Sequence, residues 1–89
     1  MTYYRITSLG MLRRKEILER GFEVKNYVVG ESCILFLLSG YDGNLAISRD
    51  GIADVYKSAL KTLVRRGCVE RLTKNQVVLM NLAGKLWLR

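Results

Sequence analysis

Apolar positions come in blocks that change period along the chain. Thr2 to Thr7 is rich in β-forming residues, and Leu9, Met11, Leu12, Ile17 and Leu18 then recur at helical spacing. Ser8 offers an N-cap oxygen ahead of that helix and Gly21 a stop after it, with Gly10 a weak point in the first turn. Phe22 to Val29 sets Phe22, Val24, Tyr27, Val28 and Val29 among polar Glu23, Lys25 and Asn26, a pattern shared by a strand and an extended connector. From Glu31 to Ser39 the run Ile34, Leu35, Phe36, Leu37, Leu38 is apolar nearly all round, as in a short helix buried mid-core. Glu31 suits the positive N-terminal end of such a helix, and Gly40 its termination.

Tyr41, Asp42, Gly43 and Asn44 read as a turn. Leu45, Ala46 and Ile47 lead to Ser48, a second N-cap with Asp50 behind it, so a short helix is expected over about 48–54. Ile52, Val55, Ala59, Leu60, Leu63 and Val64 continue at helical spacing, and the opposite face carries Lys57, Ser58, Lys61, Thr62 and Arg65 up to Gly67. Cys68 to Leu72 and Gln76 to Met80 read as two apolar strands around Thr73, Lys74 and Asn75, a hairpin with a basic tip. Asn81 then caps a last short helix with Leu82, Leu86, Trp87 and Leu88. The expected fold is α+β and mostly α, in one domain spanning 1–89, because 89 residues support a single modest core.

Charge sharpens this picture. Residues 1–30 carry six basic and three acidic side chains, 31–54 one and four, and 55–89 eight and one, for a net charge of +7. Cations gathered in the last third are what a polyanion-binding face requires, since phosphate neutralisation depends on clustering more than on total charge. Histidine is absent, which removes the commonest general base and metal ligand, and no carboxylate pair or activated nucleophile stands out, so neither an enzyme nor a metal site nor a cofactor is expected. Asp50 and Asp54 read as helix N-terminal charges. Cys33 and Cys68 lie 35 positions apart in apolar settings and read as buried thiols. No apolar run approaches the roughly 20 residues of a membrane span, and no signal-like segment opens the sequence, so the expected location is the cytoplasm, without membrane attachment.

A buried helix, a short capped helix, a basic helix ending in glycine and a cationic hairpin, in that order, resemble a winged helix-turn-helix domain. Leu60, Leu63, Arg65, Arg66, Gly67, Cys68, Val69, Glu70 and Arg71 are similar to the recognition-helix exit of MarR- and PadR-like bacterial and archaeal regulators. Val78, Leu79, Met80, Asn81, Leu82, Ala83, Gly84 and Lys85 resemble the wing strand and closing helix of that family. The front of the motif departs from the pattern, because only eight positions separate Ile52 from Leu60. The resemblance implies a sequence-specific transcriptional regulator of double-stranded DNA, with a recognition helix at about 55–66 in the major groove, a two-stranded wing at 68–80, and residues 1–30 as an N-terminal extension with a dimerisation role.

On that pattern Tyr56, Lys57, Ser58 and Lys61 are the base-reading candidates. Thr62, Arg65, Arg66 and Arg71 become backbone contacts, and Lys74, Asn75 and Gln76 reach an adjacent groove or phosphate from the wing tip. Arg13, Arg14 and Lys15 form a weaker cluster that a solvated helix face explains equally well. Lys57, Lys61 and Arg65 share one helix face with no acid to offset them, an arrangement that costs helix stability and so favours a binding role. A homodimer on a palindromic site is expected, through Leu9, Leu12 and Leu18 or through Leu86, Trp87 and Leu88. Two other classes stay open: a winged-helix module for an acidic protein partner, and an RNA or single-strand binder stacking bases on Tyr41, Tyr27 or Trp87.

Overall fold

The computed structural model describes residues 2–89, with the side chain of Phe22 outside the description. Tyr3–Ile6 forms strand β1, whose alternation sends Tyr4 and Ile6 to one face and Tyr3 and Arg5 to the other. Helix α1 follows at Ser8–Arg20. Its N-cap is Thr7 rather than Ser8: the Thr7 hydroxyl accepts from the Gly10 N–H at 3.1 Å, a cap the neighbouring hydroxyl residue concealed in the sequence. Gly10 sits where β1, α1 and the Cys68 carbonyl converge, and an added methyl there would stand 2.6 Å from the Ile6 side chain. Gly21 ends α1 as expected, donating its N–H to the Ile17 carbonyl at a φ of 57°.

Residues 22–29 do not form a strand. A single 3-10 turn at Gly21–Glu23 leads into a connector whose Val24 alone is fully buried, so the alternation was that of an irregular segment pinned at one point. Helix α2, Val29–Leu37, is the buried helix anticipated in mid-core, with Ile34, Leu35 and Leu38 completely enclosed. Burial of each of these side chains contributes roughly 2 kcal/mol. A one-turn segment α3, Gly40–Gly43, reverses the chain through left-handed Tyr41 and Asp42, and β2 follows at Leu45–Ser48.

The helix expected over 48–54 is replaced by two 3-10 turns, Arg49–Gly51 and Asp54–Tyr56. Ser48 belongs to β2 and makes no capping bond. Helix α4, Lys57–Arg65, begins only after the second turn, with Leu60 and Leu63 on its buried face. Strand β3 is Val69–Leu72.

The expected hairpin does not form. Lys74–Leu82 is a helix, α5, opened by a capping box in which the Thr73 hydroxyl accepts from the Gln76 N–H at 3.2 Å and the Thr73 N–H donates to Gln76 Oε1 at 2.7 Å. Val77 and Met80, three apart, turn inward, so the short apolar run obeyed helical rather than strand spacing. Asn81 therefore lies inside α5 and caps nothing, and the last element is a two-residue strand β4, Trp87–Leu88.

Four strands make one sheet in the order β3-β1-β2-β4. β1 is antiparallel to both β2 and β3, with Tyr4 opposite Ile47 on one side and Arg71 on the other, and β4 runs parallel to β2. Residues 1–30 thus supply the strand that β2 and β3 both require. The face bearing Tyr4, Ile6, Ile47 and Val69 packs on α1, α2 and α4. The other face bears Ala46 and Leu72 and is covered by Val77 of α5 and by Leu86. The class is α+β, as the sequence indicated. No helix among the described residues is long and apolar enough to cross a membrane.

Candidate functional site

Helix α4 packs through Leu60 and Leu63, which forces its remaining stripe toward the sheet margin. Lys57, Lys61 and Arg65, one turn apart, line one wall of a cleft of about 360 Å³. Leu60, Val64 and the buried Tyr4 form its floor. Arg49, from the turn after β2, and Arg71, from β3, complete the opposite side. The backbone N–H of Arg49 donates to the Thr2 carbonyl at 2.9 Å, and Arg71 is held opposite Tyr4 by strand pairing. That side of the cleft is therefore anchored by the sheet.

Five cations meet in this cleft, and among the described residues none has a carboxylate within ion-pair distance. The acids that pair do so elsewhere: Glu70 with Arg5 at 2.8 Å, Glu16 with Arg13 and Arg20, and Glu31 with Arg66 at 2.9 Å. Asp50 and Asp54 line an adjoining depression that shares only Arg49 with the cleft, so negative charge borders the site on one flank. Like charges held together on a packed scaffold raise the local potential for an anion, and arginine and lysine suit both carboxylate and phosphate oxygens.

Of the residues expected at the site, Lys57, Lys61, Arg65 and Arg71 come together here. The others do not. Tyr56 turns toward α2, where the neighbouring Cys33 thiol pushes the phenol above its ordinary range. Arg66 is engaged by Glu31, whose side chain is only 8% exposed. The Thr62 hydroxyl donates to the Ser58 carbonyl within α4 at 3.2 Å, and Ser58 is exposed outside the cleft. Gln76 is occupied in the capping box, and Lys74 and Asn75 are exposed at the start of α5 rather than at a wing tip.

Two lining residues escaped the sequence reading, Arg49 and Tyr4. Tyr4 lies on a strand remote in sequence from α4 and Arg49 in a 3-10 turn before it, so helical spacing carried no signal for either. Arg13 donates to the Lys25 and Asn26 carbonyls, and Arg14 lies 5.2 Å from the centre of the Phe36 ring, so that cluster braces α1. Both cysteines are free; Cys68 is buried, whereas Cys33 is only half-buried, because α2 presents it toward Tyr56. Leu86 is enclosed in the second core, while Trp87 stacks on Tyr41 with ring centres 4.5 Å apart. No three His, Cys, Asp or Glu side chains converge on a metal-sized site among the described residues. Comparison of the chain with protein-family models, with curated proteins and with solved structures finds no match in any of the three.

Proposed function

We propose that this protein binds double-stranded DNA as a transcriptional regulator of the winged helix-turn-helix kind, with α4 and its cleft as the contact surface. One observation carries the reading: the cations left without an acidic partner at α4 are joined by two more from the sheet, on a single concave surface. Such a surface gains affinity by releasing the counterions condensed on DNA. The order buried helix, strand, tight turns, basic helix, strand supports the winged-helix comparison, with β1 taking the central sheet position in place of a hairpin strand.

A regulator of this size acts on a palindrome as a pair. Two exposed apolar surfaces are available for pairing, Leu12 and Leu18 on α1 and Leu79 and Leu82 on α5.

Selection from random-sequence duplex DNA at two salt concentrations, with the Lys57→Ala, Lys61→Ala, Arg65→Ala triple variant in parallel, tests the proposal. The expected result is an enriched motif that the triple variant no longer selects. Equal recovery by both proteins, or none above background, removes the DNA reading and leaves an acidic protein partner as the next candidate.

A further inference from the structure

The α4 cations are solvent-exposed and line a concave surface rather than a free-standing ridge. Lys57, Lys61 and Arg65 form one side of a concavity whose floor is the buried Tyr4, and Arg49 and Arg71 face them from the sheet. Base edges lie at the bottom of the major groove and are reached by a surface that protrudes, whereas the phosphodiester backbone is itself a ridge and fits a surface that is hollow. Among the described residues, the side chains lining the cleft include no amide or carboxylate; apart from Tyr4 the polar ones are all cationic, the type that meets phosphate oxygens. From Lys57 to Arg65 the helix rises about 12 Å, at 1.5 Å per residue. Phosphates of one strand advance about 3.4 Å each along the duplex axis, so a wall of about 12 Å spans between three and four phosphate steps.

We propose that the cleft seats the backbone of one DNA strand, with Arg49 and Arg71 supplying from the sheet side the phosphate contacts that Lys57, Lys61 and Arg65 supply from α4. This rests on the DNA reading above and reassigns Lys57 and Lys61 from bases to phosphates. The cleft then sets affinity and orientation, and sequence preference is read by groups outside it. Asp50 and Asp54 on the adjoining flank repel the backbone there and fix the side on which the strand leaves.

The experiment is fluorescence anisotropy with several labelled duplexes of unrelated sequence over a potassium chloride series, comparing wild type with Arg49→Gln, Arg71→Gln and the double variant. Glutamine keeps most of the side-chain stem, and an unchanged thermal midpoint verifies that each variant is folded. Each single substitution is expected to weaken all duplexes by the same factor and to reduce the slope of log K against log salt by about one, the double variant by about two. Losses that differ between sequences would show that these arginines read bases, which overturns the proposal. Variants that bind like wild type, while the α4 triple variant fails, also overturn it and leave the DNA reading intact. If wild type binds no duplex at low salt, both readings fall.

Discussion

Arg66 Nη1 stands 2.9 Å from Glu31 Oε1 and so fastens the end of α4 to the first turn of α2. The carboxylate is nearly enclosed, while the guanidinium remains 44% exposed at the rim. This pair separates two adjacent arginines that are chemically alike, because Arg65 lines the cleft and Arg66 is turned toward Glu31 of α2.

Arg66→Ala is therefore expected to act on stability. It strands a buried carboxylate, and after allowance for solvent screening at the exposed arginine the cost is about 2 kcal/mol. Urea unfolding should show that loss with DNA affinity of the folded fraction unchanged. Arg65→Ala should do the reverse, lowering affinity with stability altered by less than about 0.5 kcal/mol.

Thr73→Ala removes the hydroxyl that holds the Gln76 N–H and opens the capping box. The expected cost is about 1 kcal/mol, accompanied by fraying of the first turn of α5. Hydrogen exchange of the amides at 75–77 should accelerate first. Unchanged exchange there would contradict the capped helix.

At Gly10 even a methyl group collides with the backbone. A Cβ would fall inside contact distance of the Cys68 carbonyl oxygen, the same oxygen that accepts from the Thr7 N–H at 3.0 Å. Gly10→Ala should cost about 3 kcal/mol as an overpacked junction, despite the higher helix propensity of alanine. Thermal unfolding of the variant tests the sign, since propensity alone predicts stabilisation.

Burial raises the Cys68 thiol above its ordinary range, with the Arg13 and Arg66 charges opposing the rise and Glu31 adding to it. The folded state holds this proton more tightly than the unfolded chain does. The stability it contributes is full below the unfolded thiol pKa of about 8.5 and is lost as pH rises through the folded value. The melting temperature should fall between pH 8 and pH 10, and Cys68→Ala should flatten that fall. A thiol reagent at pH 8 should modify the half-buried Cys33 well before Cys68.

Helices with long apolar periods were legible in the sequence, and α1, α2 and α4 lie close to where their spacing put them. Besides 48–54 and the C-terminal end, segment 74–82 was misread, because Val77, Val78, Leu79 and Met80 satisfy strand and helix templates equally over so short a run. Thr73 and Gln76, three apart, were the local signal that decides for a helix. Pairing of β4 with β2 joins residues more than 40 apart in parallel, which no nearby turn announces. The cleft was half legible. Lys57, Lys61 and Arg65 share a helix face by arithmetic, whereas Arg49 is brought beside them by the irregular path of two 3-10 turns, which has no period to read.

The placement of β1 governs how the molecule assembles. Its hydrogen-bonding partners begin at Ile47 on one edge and at Val69 on the other, so the first strand of the chain waits for nearly the whole sequence before both its edges are filled. Closing such loops carries an entropy cost before any contact offsets it, which slows folding relative to a helical protein of equal length. Helices α1, α2 and α4 can form and collapse while β1 is still unpaired. Arg49 and Arg71 meet the α4 cations only when β1 inserts between β2 and β3. The cationic cleft thus depends on the central strand and is lost if that strand detaches.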